Sequence, residues 1–234
     1  MCVLKADSLR RLKTGIQLVD NVFPGFSYGD FAAIYGNEAF TLGFILCVCS
    51  TSPSEYGGLN SEVLFIDGGN SFNPYFVAEV ARRWTLNPRG VLEKIFVSRA
   101  FTAYQLSALI LEKLDEFLEK RDVDLIFVSD IASLFMDSDI PKTEAHDLFM
   151  KVCQKLADVA KGRRKIILAT YRPDRSSRRG VFFEAVLCGQ IDALIRFERK
   201  YNILKFALLN HPRVKPFELE VPTENMLLTS FMEV

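Results

Sequence analysis

The segment Tyr35-Gly36-Asn37-Glu38-Ala39-Phe40-Thr41-Leu42-Gly43 has the setting of a phosphate-binding loop without its chemistry. An apolar run, Phe31 to Tyr35, precedes it and another, Phe44 to Cys49, follows. In that strand–loop–helix setting the pattern G-x-x-x-x-G-K-[ST], the Walker A motif, cradles phosphates with backbone N–H groups, a lysine and a hydroxyl that holds Mg²⁺. Gly36 fits the first glycine, and Thr41, Leu42 and Gly43 then occupy the Gly, Lys and Ser/Thr positions. Leucine brings no charge to a β- or γ-phosphate, and glycine offers a metal no oxygen. No lysine lies between Lys13 and Lys94 to act as a neighbouring substitute. Gly36, Thr41 and Gly43 are therefore the remnants of a cofactor site, and no bound cofactor, ATP-Mg²⁺ included, is expected. A lost charge-assisted hydrogen bond costs roughly 1.5–3 kcal/mol. A helix dipole alone returns only about 0.3–1 kcal/mol at an exposed site.

The second concentration of chemistry is cationic. Arg172, Arg175, Arg178 and Arg179 fall within Tyr171 to Gly180. Four guanidinium groups beside a tyrosine suit phosphate contacts and base stacking. The same run also suits an acidic protein partner or a solvated loop. Lys161-Gly162-Arg163-Arg164-Lys165 is a second basic run at the end of a helix-like segment, where complementing the macrodipole accounts for it. The acids and bases of Leu111 to Lys120 read as the wet face of an amphipathic helix.

The elements that must position these groups alternate. Phe31–Tyr35, Glu62–Asp67, Lys94–Ser98, Asp124–Ser129 and Lys165–Thr170 read as strands. Phe76–Trp84, Ala103–Lys120 and Thr143–Lys161 read as helices, the first entered through Asn73-Pro74 and the last with Thr143 as its candidate cap. Strands that are apolar throughout suit a sheet covered on both faces, and strands separated by helices imply parallel βαβ units. Ala193–Glu198, the turn Lys200-Tyr201-Asn202 and Ile203–Leu209 read as an antiparallel hairpin that extends the sheet at one edge. Ser50 to Asn60 reads as a mobile surface loop.

The chain has 234 residues, 49% of them hydrophobic, with 29 basic and 29 acidic residues. That suffices for one large core in one domain, and the balanced charge supplies no global field for nucleic acid. Cys2, Cys47, Cys49, Cys153 and Cys188 are scattered, and His146 and His211 are the only histidines, so no metal site is expected. The apolar stretch Phe40–Cys49 is far short of the roughly 20 residues of a membrane span. Met1 to Arg11 has no apolar centre and does not read as a secretory signal. A soluble cytoplasmic protein is the expectation.

Several segments together resemble the RecA/RadA recombinase superfamily, especially its archaeal-type RadA paralogues of the RadB kind, and the related KaiC-like ATPases. Leu12-Lys13-Thr14-Gly15 through Leu18-Val19-Asp20 is similar to the lead-in L-x-T-G-x-x-x-L-D, and Tyr28-Gly29-Asp30-Phe31 to x-G-E/D-I. Phe65-Ile66-Asp67-Gly68-Gly69-Asn70-Ser71-Phe72-Asn73-Pro74 resembles F-I-D-T-E-G-T-F-R-P. Val97 to Phe101 resembles V-A-R-A-Y, and Leu125 to Asp130 lies where the Walker B strand L-I-V-D-S belongs. The resemblance covers most of the chain, about Leu12 to Pro212.

It implies a RecA-like α/β P-loop core, a mostly parallel sheet flanked by helices, with a C-terminal antiparallel hairpin. It also implies that Gly69 stands at the catalytic glutamate and Ser129 at the Walker B aspartate, with Asp130 one place late and turned to the other face. With Leu42, three elements of one phosphoryl-transfer chemistry are replaced. The expectation is a pseudo-ATPase, a non-catalytic paralogue lacking the N-terminal DNA-binding domain. It would act as an accessory or regulatory factor in homologous recombination and DNA repair. Its partners would be a recombinase or another RecA-family paralogue, and single-stranded DNA through Arg172, Arg175, Arg178 and Arg179, which lie where the family carries a DNA-binding loop. The alternative is a divergent ATP-binding RecA/KaiC-like ATPase or regulatory module whose site is atypical or completed by a partner. The other family loop, Ile131 to Asp139, is apolar and then acidic, suited to packing or a protein contact. Asp67 reads as a loop-capping acid.

Overall fold

A computed structural model describes residues 10–201 and 203–222. Two short paired strands, β1 (Arg11–Leu12) and β2 (Phe26–Ser27), flank the one-turn helix α1 (Gln17–Asp20). There follow β3 (Phe31–Tyr35), α2 (Ala39–Thr51), β4 (Glu62–Asp67), α3 (Pro74–Arg83), α4 (Pro88–Glu93) and β5 (Ile95–Arg99). A long helical stretch runs as α5 (Ala103–Ala108), a π turn (Leu109–Lys113) and α6 (Leu114–Lys120). Then come β6 (Val123–Ser129), α7 (Lys142–Gly162), β7 (Ile166–Thr170), α8 (Arg178–Gln190), β8 (Ala193–Lys200), β9 (Ile203–Asn210) and β10 (Phe217–Pro222).

The larger sheet has the order β10-β9-β8-β3-β7-β6-β4-β5. From β8 to β5 all neighbours are parallel, and β9 and β10 add antiparallel strands at the other edge. The mostly parallel sheet and the edge hairpin expected from sequence are both present. Helices cover both faces, so alternate residues of one strand serve different cores. Leu125 and Phe127 of β6 pack with α2 and α3, whereas Ile126 and Val128 pack with the α5–α6 stretch and α7. This explains the unbroken apolar runs: neither face of the central strands meets water.

Helix starts follow local chemistry where the cap is a side chain. The Asn73 carboxamide accepts from Tyr75 N (3.0 Å) and Phe76 N (3.1 Å), with Pro74 in the first turn. Thr143 does not cap α7. The helix begins one residue earlier, with Pro141 at the cap position making no side-chain bond, and Ala145 N donates to the Pro141 carbonyl at 2.9 Å. Ser50 to Asn60 is not a loose loop either. α2 runs through Thr51, and the turn behind it is pinned by Leu59 N to Ser50 O (3.2 Å) and Asn60 N to Ser52 O (2.8 Å).

Several elements were not expected from sequence: the short β1, α1 and β2, and the longer α4, α8 and β10. β10 alternates Glu218 and Glu220 with Leu219 and Val221, a polar edge pattern that Arg196 and Lys205 of the neighbouring strands neutralise. Among the described residues no helix is long and apolar enough to cross a membrane.

The first part of the segment after β6 is packed, whereas Asp137 to Asp139 are exposed. Ile131 and Phe135 are fully buried, and Phe135 meets Phe149 of α7 at 5.2 Å and Phe183 of α8 at 6.1 Å between ring centroids. Phe135→Ala should therefore lower the unfolding free energy by about 3–5 kcal/mol, measured as a shift of the urea midpoint without a change in slope.

Candidate functional site

The parallel strands deliver their C-terminal ends to one edge of the sheet, the usual place for a ligand in an open α/β fold. Four connections meet there: Gly36 to Glu38 after β3, Gly68 to Asn73 after β4, Asp130 to Pro141 after β6, and Tyr171 to Ser177 after β7.

The first connection is only three residues long, because α2 already begins at Ala39. Thr41, Leu42 and Gly43 lie inside the helix, not in a cradle. Amide groups that would face a phosphate point inward: Glu38 N to Phe197 O at 3.2 Å, Ala39 N to Gly36 O at 3.2 Å, Leu42 N to Glu38 O at 3.1 Å. Gly36 has φ +114°, and a Cβ there would stand 2.2 Å from the Phe197 carbonyl oxygen, so the tight passage from β3 across β8 requires glycine.

Charge and bulk fill the rest. The Glu38 carboxylate, nearly buried at the start of α2, accepts from Thr41 Oγ1 (2.8 Å) and from Arg199 Nε (3.2 Å). It supplies the negative charge that a helix N-terminus favours. Asn37 ties the loop to β8 twice, donating to Arg199 O (3.0 Å) and accepting from Arg199 N (2.7 Å). Leu42 is fully buried in the core formed by α2, α3 and the sheet. At Gly43 a Cβ would lie 2.2 Å from Phe127 Cζ, so the place of the metal-binding hydroxyl is an aromatic ring. That ring stacks on Phe65 at 5.0 Å, and Phe65 stacks on Phe44 at 5.7 Å.

The acidic side of the site is equally closed. Asp67 is fully buried; its carboxylate takes Ser71 N (2.8 Å), Phe72 N (3.1 Å) and Arg99 Nε (3.2 Å), and it holds the loop after β4. Ser129 and Ser71 share a hydroxyl contact of 2.5 Å. A Cβ on Gly69 would stand 2.9 Å from Asp130 Cβ, which leaves no room for a larger residue without displacement of Asp130. Asp130 leaves the strand with φ +50° and donates its N–H to Thr170 Oγ1 at 2.8 Å. Its carboxylate lies 3.4 Å from Arg172 Nε. Burial pushes its pKa above the ordinary carboxylate range, and Arg172 opposes that shift.

The four arginines are brought to this same edge. Arg172 reaches Asp130, and its guanidinium stands 5.2 Å from the Phe40 ring centroid, joining α2 to the connection after β6. Arg175 pairs with Glu184 of α8 at 3.1 Å. Arg178 and Arg179 are the first residues of α8, behind the Ser177 cap. Arg179 donates to Ile140 O at 3.1 Å. Arg172 and Arg175 remain 73% and 72% exposed, whereas their carboxylate partners Asp130 and Glu184 are 5% and 20% exposed. The second basic run lies apart from these, where Lys165 pairs with Asp124 (3.2 Å) and Arg163 with Asp115 (3.1 Å).

Two openings border the arginine segment. A cleft of about 400 Å³ lies among Tyr35, Gly36, Phe40, Arg172 and Glu198. A cavity of about 230 Å³ lies beneath the segments after β6 and β7, against α8. The sign of Glu38 was available in the sequence as an acid inside a phosphate-loop pattern. Its partner Arg199 is 161 residues distant, Phe127 lies 84 residues beyond Gly43, and neither carries a local signal.

Two outcomes follow from this geometry. Gly43→Ser, which restores the hydroxyl of the pattern, should destabilise the fold by about 1–3 kcal/mol through overpacking against Phe127, read by urea unfolding. For Asp130, the folded state binds the proton more tightly than the unfolded chain does. Its stability contribution is therefore present at low pH and lost as pH rises through its raised pKa. Asp130→Asn should accordingly be more stable than the parent at neutral pH. Thermal melts at a series of pH values should show that advantage shrinking on acidification.

Comparison with known proteins identifies the family. The family model described as Rad51 matches residues 5–175. The chain is 27% identical over 177 residues to a meiotic recombination protein DMC1 homolog of Glycine max, covering 72% of this chain and 50% of that protein. The corresponding Arabidopsis thaliana protein is 26% identical over the same length and shares. The DNA repair protein RAD51 homolog B of Zea mays is 29% identical over 157 residues, 63% of this chain and 46% of that protein. The chain thus spans about half the length of the curated relatives it matches. The matched region runs from the N-terminal lead-in through the four site connections into the arginine segment, and on that match the chain belongs to the Rad51 family.

Proposed function

We propose that this chain is a non-catalytic Rad51-family protein, a pseudo-ATPase that serves as an accessory factor in homologous recombination and DNA repair. It binds a recombinase or another RecA-family paralogue, and it binds single-stranded DNA through Arg172, Arg175 and Arg178. The observation that carries this reading is the filling of the loop from Gly36 to Gly43 by groups of the chain itself: Glu38 with Arg199, Leu42, and the Phe127 ring against Gly43. Phosphoryl transfer depends on positioning and charge stabilisation, and here a carboxylate stands where positive charge is needed. The relatives whose names specify meiotic recombination and DNA repair support the pathway. The exposed guanidinium groups of Arg172 and Arg175 support the nucleic-acid contact, because solvent-facing cations are available to phosphates.

The cleft beside Tyr35 and Phe40 favours one further reading, a divergent nucleotide-binding module completed by a partner. Calorimetric titration with ATP-Mg²⁺ separates the two. No heat at micromolar concentrations and no phosphate release are expected of the chain alone; binding with turnover sinks the proposal. For DNA, Arg175→Glu with Arg178→Glu should weaken single-strand binding at least tenfold and reduce the log–log salt slope by about 1 to 1.5, measured by fluorescence anisotropy. An unchanged slope would remove the arginine segment from the DNA contact.

A further inference from the structure

We infer that the cleft where β6 and β7 begin is a docking site for a single acidic side chain of a partner protein, in a segment whose flanking residues are basic. The cleft lies at the edge of the sheet opposite the four connections, and its role depends on neither the nucleotide nor the DNA reading. It encloses about 340 Å³. Arg10, from before β1, and Arg163, Arg164 and Lys165, from the end of α7, line it.

Arg164 is the informative residue. α7 closes with Arg163 N bonded to Val159 O and Lys165 N to Ala160 O, both at 3.0 Å, which puts Arg164 at the position where helix ends favour glycine. Its φ is +52°, a left-handed conformation that is strained for a residue with a Cβ. The helix dipole rewards a cation anywhere in the last turn, so it does not account for an arginine at this residue. Such strain concentrates where a side chain is used.

The surrounding charges decide what Arg164 can meet. Both oxygens of Asp124 are taken, one by the Tyr28 hydroxyl at 2.8 Å and one by Lys165 Nζ at 3.2 Å. Arg163 is held by Asp115 at 3.1 Å and Glu119 at 3.6 Å. Arg10 and Arg164 pair with no carboxylate among the described residues, so two guanidinium groups remain for an incoming anion. Acids bound them on both sides: Asp122, 99% exposed and 3.9 Å from Lys165, and Asp115 and Glu119 against Arg163. A run of phosphates would meet those acids on leaving the two arginines. One carboxylate flanked by Lys or Arg satisfies the whole pattern, with its acid on the guanidinium groups and its cations on Asp122 and Glu119.

The test titrates the intact ¹⁵N-labelled chain with acetyl-Lys-Gly-Glu-Gly-Lys-amide and follows the arginine Nε–H signals by NMR. Those of Arg10 and Arg164 should shift. The peptide should bind roughly fivefold more tightly than the same peptide with glutamine for glutamate, or than acetyl-Glu-Gly-Glu-Gly-Glu-amide. Arg164→Gly should weaken binding by about the same factor while raising the melting temperature by roughly 2 °C, a pair of effects that a structural arginine cannot give. Asp122→Asn should remove the preference for basic flanks and leave the need for glutamate. Indifference to the glutamate, unchanged binding by the Arg164→Gly chain, or absence of any shift at millimolar peptide would overturn the site. So would tighter binding of the all-acidic peptide, of oligo-dT or of inorganic phosphate at these signals, which would make the cleft a general anion surface. Each of these negative outcomes leaves the recombinase reading to other surfaces of the chain.

Discussion

A Cβ on Gly43 would lie 2.2 Å from the tip of the Phe127 ring, and the rest of the site is arranged around that approach. The absence of a side chain at Gly43 lets α2 lie directly on β6. Phe127 in turn stacks on Phe65, and Phe44 of α2 closes the stack from above. Leu42, one residue before Gly43, is drawn into the same core. Helical geometry then extends back to Ala39 and leaves three residues to join strand and helix. The short connection, the positive φ at Gly36 and the inward-facing amides all follow from seating the helix this low on the sheet. Protein interiors are close-packed, so a ring of this size cannot be moved aside cheaply.

The electrostatics of the edge is settled within the chain. Glu38 with Arg199 and Asp130 with Arg172 each place a largely buried carboxylate against a guanidinium. At the start of α2 a carboxylate of the chain occupies the favourable end of the helix dipole, where an anion from solution would otherwise gain. On the proposed reading, an incoming triphosphate faces the loss of those contacts as well as the repulsion of Glu38. Neither difficulty is visible from the missing lysine alone.

How much of this could be read in the sequence depended on range. The parallel strands, the hairpin at one edge and the Asn73-Pro74 helix entry were legible because each is carried by neighbouring residues. The departures expected at Leu42, Gly69 and Ser129 come from the family pattern, which assigns those positions. What filled those places was not legible, because Phe127 against Gly43 and Arg199 against Glu38 are contacts across the sheet, fixed by register. α8 was missed because its opening Arg-Arg-Gly reads as loop, and its helical character comes from the Ser177 cap and from packing on Phe135 and Phe149. Thr143 was a sound cap by type, but Pro141 fixed the turn before it.

Arg172 connects the closed site to the surface. It touches Phe40 in the first turn of α2 and Asp130 of the third connection, while belonging to the fourth. In a switch, a ligand moves such a residue between two positions by binding one of them better. Here both contacts are built from the chain's own side chains and are present without any ligand. The two contacts tie the arginine segment to α2 and to the connection after β6. The segment's geometry therefore follows from core packing through Gly43 and Phe127. On the proposed reading, its affinity for DNA is set by folding rather than by a nucleotide cycle.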